Sequence, residues 1–116
     1  MKLVWIHGND LGPEFYAPVM DLLTERGHAS VMLGIPGLSG NPTLDEPSWD
    51  NIIAHLTNQA RDQIDGPTVL LGHSFGAMLA LLTAERLENS LEKLILLEPA
   101  IFPWKLTARA FGRSYN

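Results

Sequence analysis

Apolar residues fall along this chain in two alternating rhythms. Four short unbroken runs, at positions 3–6, 29–33, 68–71 and 94–97, are bounded by glycine, proline and polar residues. Their shortness and richness in valine, leucine and isoleucine predict β-strands, and the lack of polar alternation predicts burial on both faces. Between the runs lie three longer stretches with apolar residues at helical spacing. The first, over 18–26, carries Val19, Leu22 and Leu23 and stops at Gly27. The second carries Ile52, Ile53, Leu56, Ala60 and Ile64 and ends before Gly66-Pro67. The third follows Ser74, with Met78, Leu79, Leu82 and Leu87 on one side. Strand–helix alternation of this kind predicts an α/β three-layer sandwich, a parallel sheet of about four strands with helices on both faces. A glycine-, proline- and serine-rich loop is expected over residues 34–47.

The run at 94–97 reads as an interior strand, yet no further strand follows it in sequence. Complete domains normally cover such an apolar edge. The pattern predicts one domain over residues 1–116 that is incomplete at its C-terminus, a fragment able to self-associate through the uncovered fourth strand. Composition adds little to this and excludes more. The 116 residues are 46% hydrophobic and 18% charged, with a net charge of −5, the profile of one soluble domain. The acidic balance argues against nucleic acid or an anionic membrane as partner. The chain has no cysteine, which removes disulfides, a thiol nucleophile and thiolate metal sites. With no secretory leader in the opening Met1-Lys2-Leu3-Val4-Trp5-Ile6 and no run of membrane-spanning length, a cytoplasmic location is expected. No phosphate-binding loop, dinucleotide fingerprint or metal-ligand spacing occurs, so no cofactor or metal is expected.

The candidate chemistry centres on Gly72-His73-Ser74-Phe75-Gly76, directly after the strand-like Val69-Leu70-Leu71 and before the third helix. A G-x-S-x-G pentapeptide in that context is a nucleophile elbow. The chain must reverse so sharply at the serine that strand and helix backbones nearly touch. Residues two before and two after therefore have to lack side chains. The serine is expected in a strained conformation with its hydroxyl thrust clear of the sheet. The helix N-terminus supplies positive potential and N–H groups where an oxyanion would form.

A second element follows the first strand, in His7-Gly8-Asn9-Asp10-Leu11-Gly12. An oxyanion hole is expected from the backbone N–H of Phe75 together with an N–H near Gly8 or Asn9. Both donors can reach one oxygen only if the first and third strands are neighbours. The second strand then lies outside the first, giving the order 2-1-3-4. The switch point between strands 1 and 3 is where such sheets bind ligands.

These residues resemble the α/β-hydrolase superfamily, over nearly the whole chain. Val4-Trp5-Ile6-His7-Gly8 looks like that family's oxyanion strand and Leu70-Leu71-Gly72-His73-Ser74-Phe75-Gly76 like its elbow. Gly34-Ile35-Pro36-Gly37-Leu38-Ser39-Gly40 looks like a degraded form of its acidic-x-Pro-Gly-x-Gly loop, with Gly34 in place of the acid. The resemblance implies a serine hydrolase acting on a small-molecule carboxylic ester, thioester or related acyl or C–C substrate, with a Ser-His-acid triad. It also implies that residues 103–116 begin a lid, in which Trp104 is either a pocket aromatic or a packing residue.

The triad partners are the weak point. In this family the histidine comes last, yet none follows His73. His73 reads as a packing residue, His7 as orienting the oxyanion loop, His28 as favouring a negative helix terminus, and His55 as bordering the second helix's apolar face. Glu98, at the end of the fourth strand, is the candidate acid; the alternative is a solvated carboxylate before Pro99. Asp10 is a weaker candidate for contacting a polar substrate. Two readings of function follow: a hydrolase built on Ser74, or a non-catalytic domain that binds a ligand or partner in the same crevice.

Overall fold

The computed structural model describes residues 1–99. Within them, β1 (Lys2–Ile6), β2 (Ser30–Leu33), β3 (Thr68–His73) and β4 (Lys93–Leu97) form one parallel sheet. Its order is β2-β1-β3-β4, as the elbow argument required. The connecting helices are α1 (Pro13–Glu25), α2 (Trp49–Gln63) and α3 (Phe75–Leu87), with a short 3-10 turn at Glu88–Ser90. The expected lid over 103–116, Trp104 included, lies outside the described residues.

Each central strand divides its side chains between two cores, because successive residues point to opposite faces. Val4 and Ile6 of β1 and Leu70 of β3 join Ile52, Ile53 and Leu56 of α2 and Leu79 and Ala80 of α3. Leu3, Trp5, Val69 and Leu71 face the other way, towards Tyr16, Met20 and Leu23 of α1. The central strands are buried on both faces, whereas the edge strands β2 and β4 are mostly half-buried.

The first helix differs from its sequence reading. It begins at Pro13, not near Pro18, with Gly12 as N-cap and proline at its first position. There the missing N–H costs nothing and the fixed φ suits a helix start. Pro18 is tolerated one turn further in. The inward face is Tyr16, Met20 and Leu23, while Val19 and Leu22 of the expected apolar face are exposed together with Phe15. The second helix starts three residues before Ile52, where Ser48 Oγ accepts the Asn51 N–H at 3.0 Å and Trp49 is buried.

The junction of β3 and α3 fixes the rest. A Cβ on Gly72 would strike the carbonyl oxygen of Gly76 and lie 2.6 Å from Ala77 Cα. A Cβ on Gly76 would strike the carbonyl oxygens of both Ile6 and His7. The first glycine lets α3 leave β3; the second lets α3 lie against the end of β1. Gly76→Ala should therefore destabilise the domain by at least about 2 kcal/mol in chemical denaturation, despite alanine's better helix propensity. Gly66→Ala, where the added carbon meets open space, should change stability by less than about 1 kcal/mol, in the stabilising direction. Loss of the α2 cap in Ser48→Ala should cost about 1 kcal/mol in the same assay.

Candidate active site at the β3–α3 elbow

Ser74 sits between β3 and α3 with φ 57° and ψ −118°. That is a left-handed φ with an unusual ψ, a strained geometry for a residue with a side chain. The surrounding structure over-determines it. Its N–H donates to Leu97 O of β4 at 2.9 Å, and its carbonyl accepts the Ala77 N–H at 3.0 Å. Phe75 is the first residue of α3, whose N-terminal N–H groups and dipole favour negative charge.

The loop after β1 is held from three sides. His7 is buried, and both its ring nitrogens are committed to backbone. Nε2 accepts the Ile35 N–H at 3.0 Å, which places the proton on Nδ1, and Nδ1–H donates to Gly8 O at 2.8 Å. His7 therefore ties the first loop to the segment after β2. Ser39 Oγ adds a bond to Leu11 O at 3.0 Å. The Gly8 N–H donates to Tyr16 Oη, and Tyr16 Oη lies 2.8 Å from His73 Nδ1. Of the two N–H groups near the loop's start, Gly8's is thus already taken, which leaves Asn9's. Burial raises the Tyr16 pKa, with a smaller opposing effect from the Gly8 N–H, so the hydroxyl keeps its proton at neutral pH.

Tyr16 was not singled out by its sequence. Reading Gly12-Pro13 as a helix start would have placed it on the inward face with Met20 and Leu23. The degraded loop after β2 has a structural explanation too. A Cβ on Gly34 would strike Asn41 Oδ1, so Asn41 fills the space a Gly34 side chain would need. Asn41 Nδ2 in turn donates to Leu38 O at 2.7 Å.

Asn9 and Phe75 line one partly open cavity of about 120 Å³, together with Ile35, Leu38, Trp49 and Leu79. Its walls are mostly apolar, and Trp49 and Phe75 meet edge to face at 5.9 Å. Glu98 follows β4 with φ 46° and is exposed, one residue beyond the carbonyl that holds Ser74. His28 lies beside the N-terminal amine, 3.4 Å away. Asp10 takes a left-handed φ of 59° in the turn after Gly8. Among the described residues no group of histidine, aspartate or glutamate could hold a metal ion. None of their helices is long and apolar enough to cross a membrane.

Comparisons agree with the fold. Among solved structures, an extracellular alpha/beta-hydrolase from a Paenibacillus species matches at a TM-score of 0.75 and 17% identity, over 89% of this chain and 42% of that one. A mutant of polyneuridine aldehyde esterase gives 0.75 and 24%, over 96% and 48%. The thioesterase domain from the curacin biosynthetic pathway gives 0.75 and 24%, over 94% and 43%. The chain spans less than half the length of each, and at these identities the likeness establishes the fold. No curated protein matches. The model of the alpha/beta hydrolase family matches residues 3–115, nearly the whole chain. With the strand order in agreement, the chain belongs to the alpha/beta hydrolase family.

Proposed function

We propose that Ser74 is the nucleophile of a hydrolase that cleaves a small carboxylic ester or thioester. The observation that carries this reading is the backbone of Ser74, held at φ 57° between a parallel strand and a helix N-terminus. A tightly packed junction would not keep a non-glycine residue there without return, and a turn of this kind is the one that presents a nucleophilic oxygen. In the proposed reaction Oγ bonds to the acyl carbon while the carbonyl oxygen takes up negative charge. The Phe75 and Asn9 N–H groups stabilise that charge, and each such donor is worth about 3–4 kcal/mol. The acyl C–O or C–S bond then breaks and the Oγ proton leaves with the alcohol or thiol, after which water cleaves the Ser74 ester to the free acid and restores the hydroxyl. The apolar cavity beside Asn9 and Phe75 suits a small hydrocarbon portion of the substrate, since a dry cavity of about 150 Å³ takes up benzene. Esterase and thioesterase neighbours support the same bond type.

One observation favours a second reading. The Ser74 proton needs an acceptor, and the two histidines beside the elbow and the loop after β1 hold other partners. His7 is committed at both nitrogens, and His73 Nδ1 faces Tyr16. Glu98 as triad acid likewise requires a histidine between it and Ser74. The alternative is a non-catalytic domain that binds a small molecule in the cavity.

A fluorophosphonate probe separates the two. The hydrolase reading predicts covalent labelling of Ser74, seen as one mass adduct and lost in Ser74→Ala, with hydrolysis of short p-nitrophenyl esters lost in parallel. The binding reading predicts no label, together with a melting temperature raised by small apolar carboxylic acids in both proteins. Label that persists in Ser74→Ala would end the proposal.

A further inference from the structure

Gly8 and Asn9 share the peptide on which the second oxyanion donor depends. The turn around them is weak, because Leu11 N reaches Gly8 O at only 3.4 Å and Asp10 carries a left-handed φ. A mobile turn would be a poor oxyanion donor, since this catalysis needs dipoles that do not reorganise during reaction. Two side chains remove that mobility. His7 Nδ1–H holds the Gly8 carbonyl, and Tyr16 Oη holds the Gly8 N–H. A trans peptide is planar, with C=O and the following N–H pointing in opposite directions. Pinning the Gly8 carbonyl on His7 therefore turns the Asn9 N–H away from His7, and pinning the Gly8 N–H fixes the near side of the same residue.

We infer that Tyr16 is a positioning residue for the oxyanion hole: its hydroxyl clamps the Gly8 N–H to His73, next to Ser74, and so presents Asn9's N–H to the reacting oxygen. This rests on the hydrolase reading of Ser74. The bridge joins the two halves of the hole through one atom. Tyr16 Oη accepts from Gly8 and hydrogen-bonds His73 Nδ1, with Tyr16 as the donor in the proposed bridge, and His73, the last residue of β3, adjoins Ser74. The site leaves little slack. A Cβ on Gly8 would lie 3.3 Å from both Tyr16 Oη and His73 Nδ1 and 3.1 Å from Leu11 Cδ1. The Tyr16 ring is buried and braced by Trp5, Phe15 and His73 at centroid distances of 5.8, 5.0 and 5.6 Å. The hydroxyl is the only part of Tyr16 that the bridge uses, so the ring can be kept while the bridge is removed.

Tyr16→Phe does this. The fluorophosphonate probe should phosphonylate Ser74 of the variant roughly 10- to 100-fold more slowly at saturation, with the half-saturating concentration unchanged within about twofold. That split marks a defect in the transition state and not in binding or folding. Amide hydrogen exchange supplies a second readout independent of labelling. In the parent, the Gly8 amide should be protected and the His73 ring should carry its proton on Nε2 in nitrogen-detected NMR. In Tyr16→Phe, Gly8 protection should fall at least about tenfold while the β3 amides stay protected. An unchanged saturating rate, or a loss shared equally by every core amide, would overturn the inference. So would a freely exchanging Gly8 amide in the parent, a result that needs no variant. If Ser74 of the parent takes no label, the hydrolase reading fails by itself, and protection of Gly8 then decides whether Tyr16 holds the loop.

Discussion

The structure depends on how closely α3 approaches the two central strands. A helix normally packs on a sheet through a layer of side chains. Here backbone meets backbone, at Gly72 against α3 and at Gly76 against the Ile6 and His7 carbonyls. The gain is geometric. It swings the first turn of α3 over the end of β1, brings Phe75 and Asn9 to one cavity, and forces Ser74 out of ordinary backbone space. The strain at Ser74, of the order of 1–3 kcal/mol, is offset by the buried apolar layer of Leu70, Leu79 and Ala80 beneath it. One methyl group at Gly76 would separate the two halves of the site.

On that frame a second network sets the finer geometry. It is polar, mostly buried and almost fully paired. His7 satisfies one backbone donor and one backbone acceptor from two different loops, and Tyr16 links a third backbone group to His73. Buried polar groups cost several kcal/mol when unpaired and contribute little net stability when paired. The return is specificity of position: the loops after β1 and β2 are locked in one register relative to the elbow. The same pairing commits both ring nitrogens of His7 and the Nδ1 of His73.

Much of this was legible from local pattern. The four strands, their parallel sense and the 2-1-3-4 order follow from short apolar runs alternating with helical ones, joined to the requirement that residues near Gly8 and Phe75 share one oxygen. Gly72 and Gly76 announced the close approach, although sequence alone did not show that Gly76 clears a different strand from Gly72. What stayed hidden depends on contacts between distant residues. The bridge from Tyr16 to His73 spans 57 positions, and no spacing rule links them. Asn41 in the space beside Gly34 is the same kind of fact: a missing side chain compensated from another part of the loop. The first helix was misread for a local reason, because Pro18 resembles a helix start as well as Pro13 does, and only packing of Tyr16 against Trp5 decides between them.

The most direct test is a crystal structure of the protein after reaction with a phosphonate. The phosphorus is predicted on Ser74 Oγ, with one phosphoryl oxygen between about 2.7 and 3.1 Å from both the Phe75 and Asn9 nitrogens and Gly8 N still bonded to Tyr16 Oη. A phosphoryl oxygen turned to solvent, or bonded to Gly8 in place of Asn9, would contradict the account.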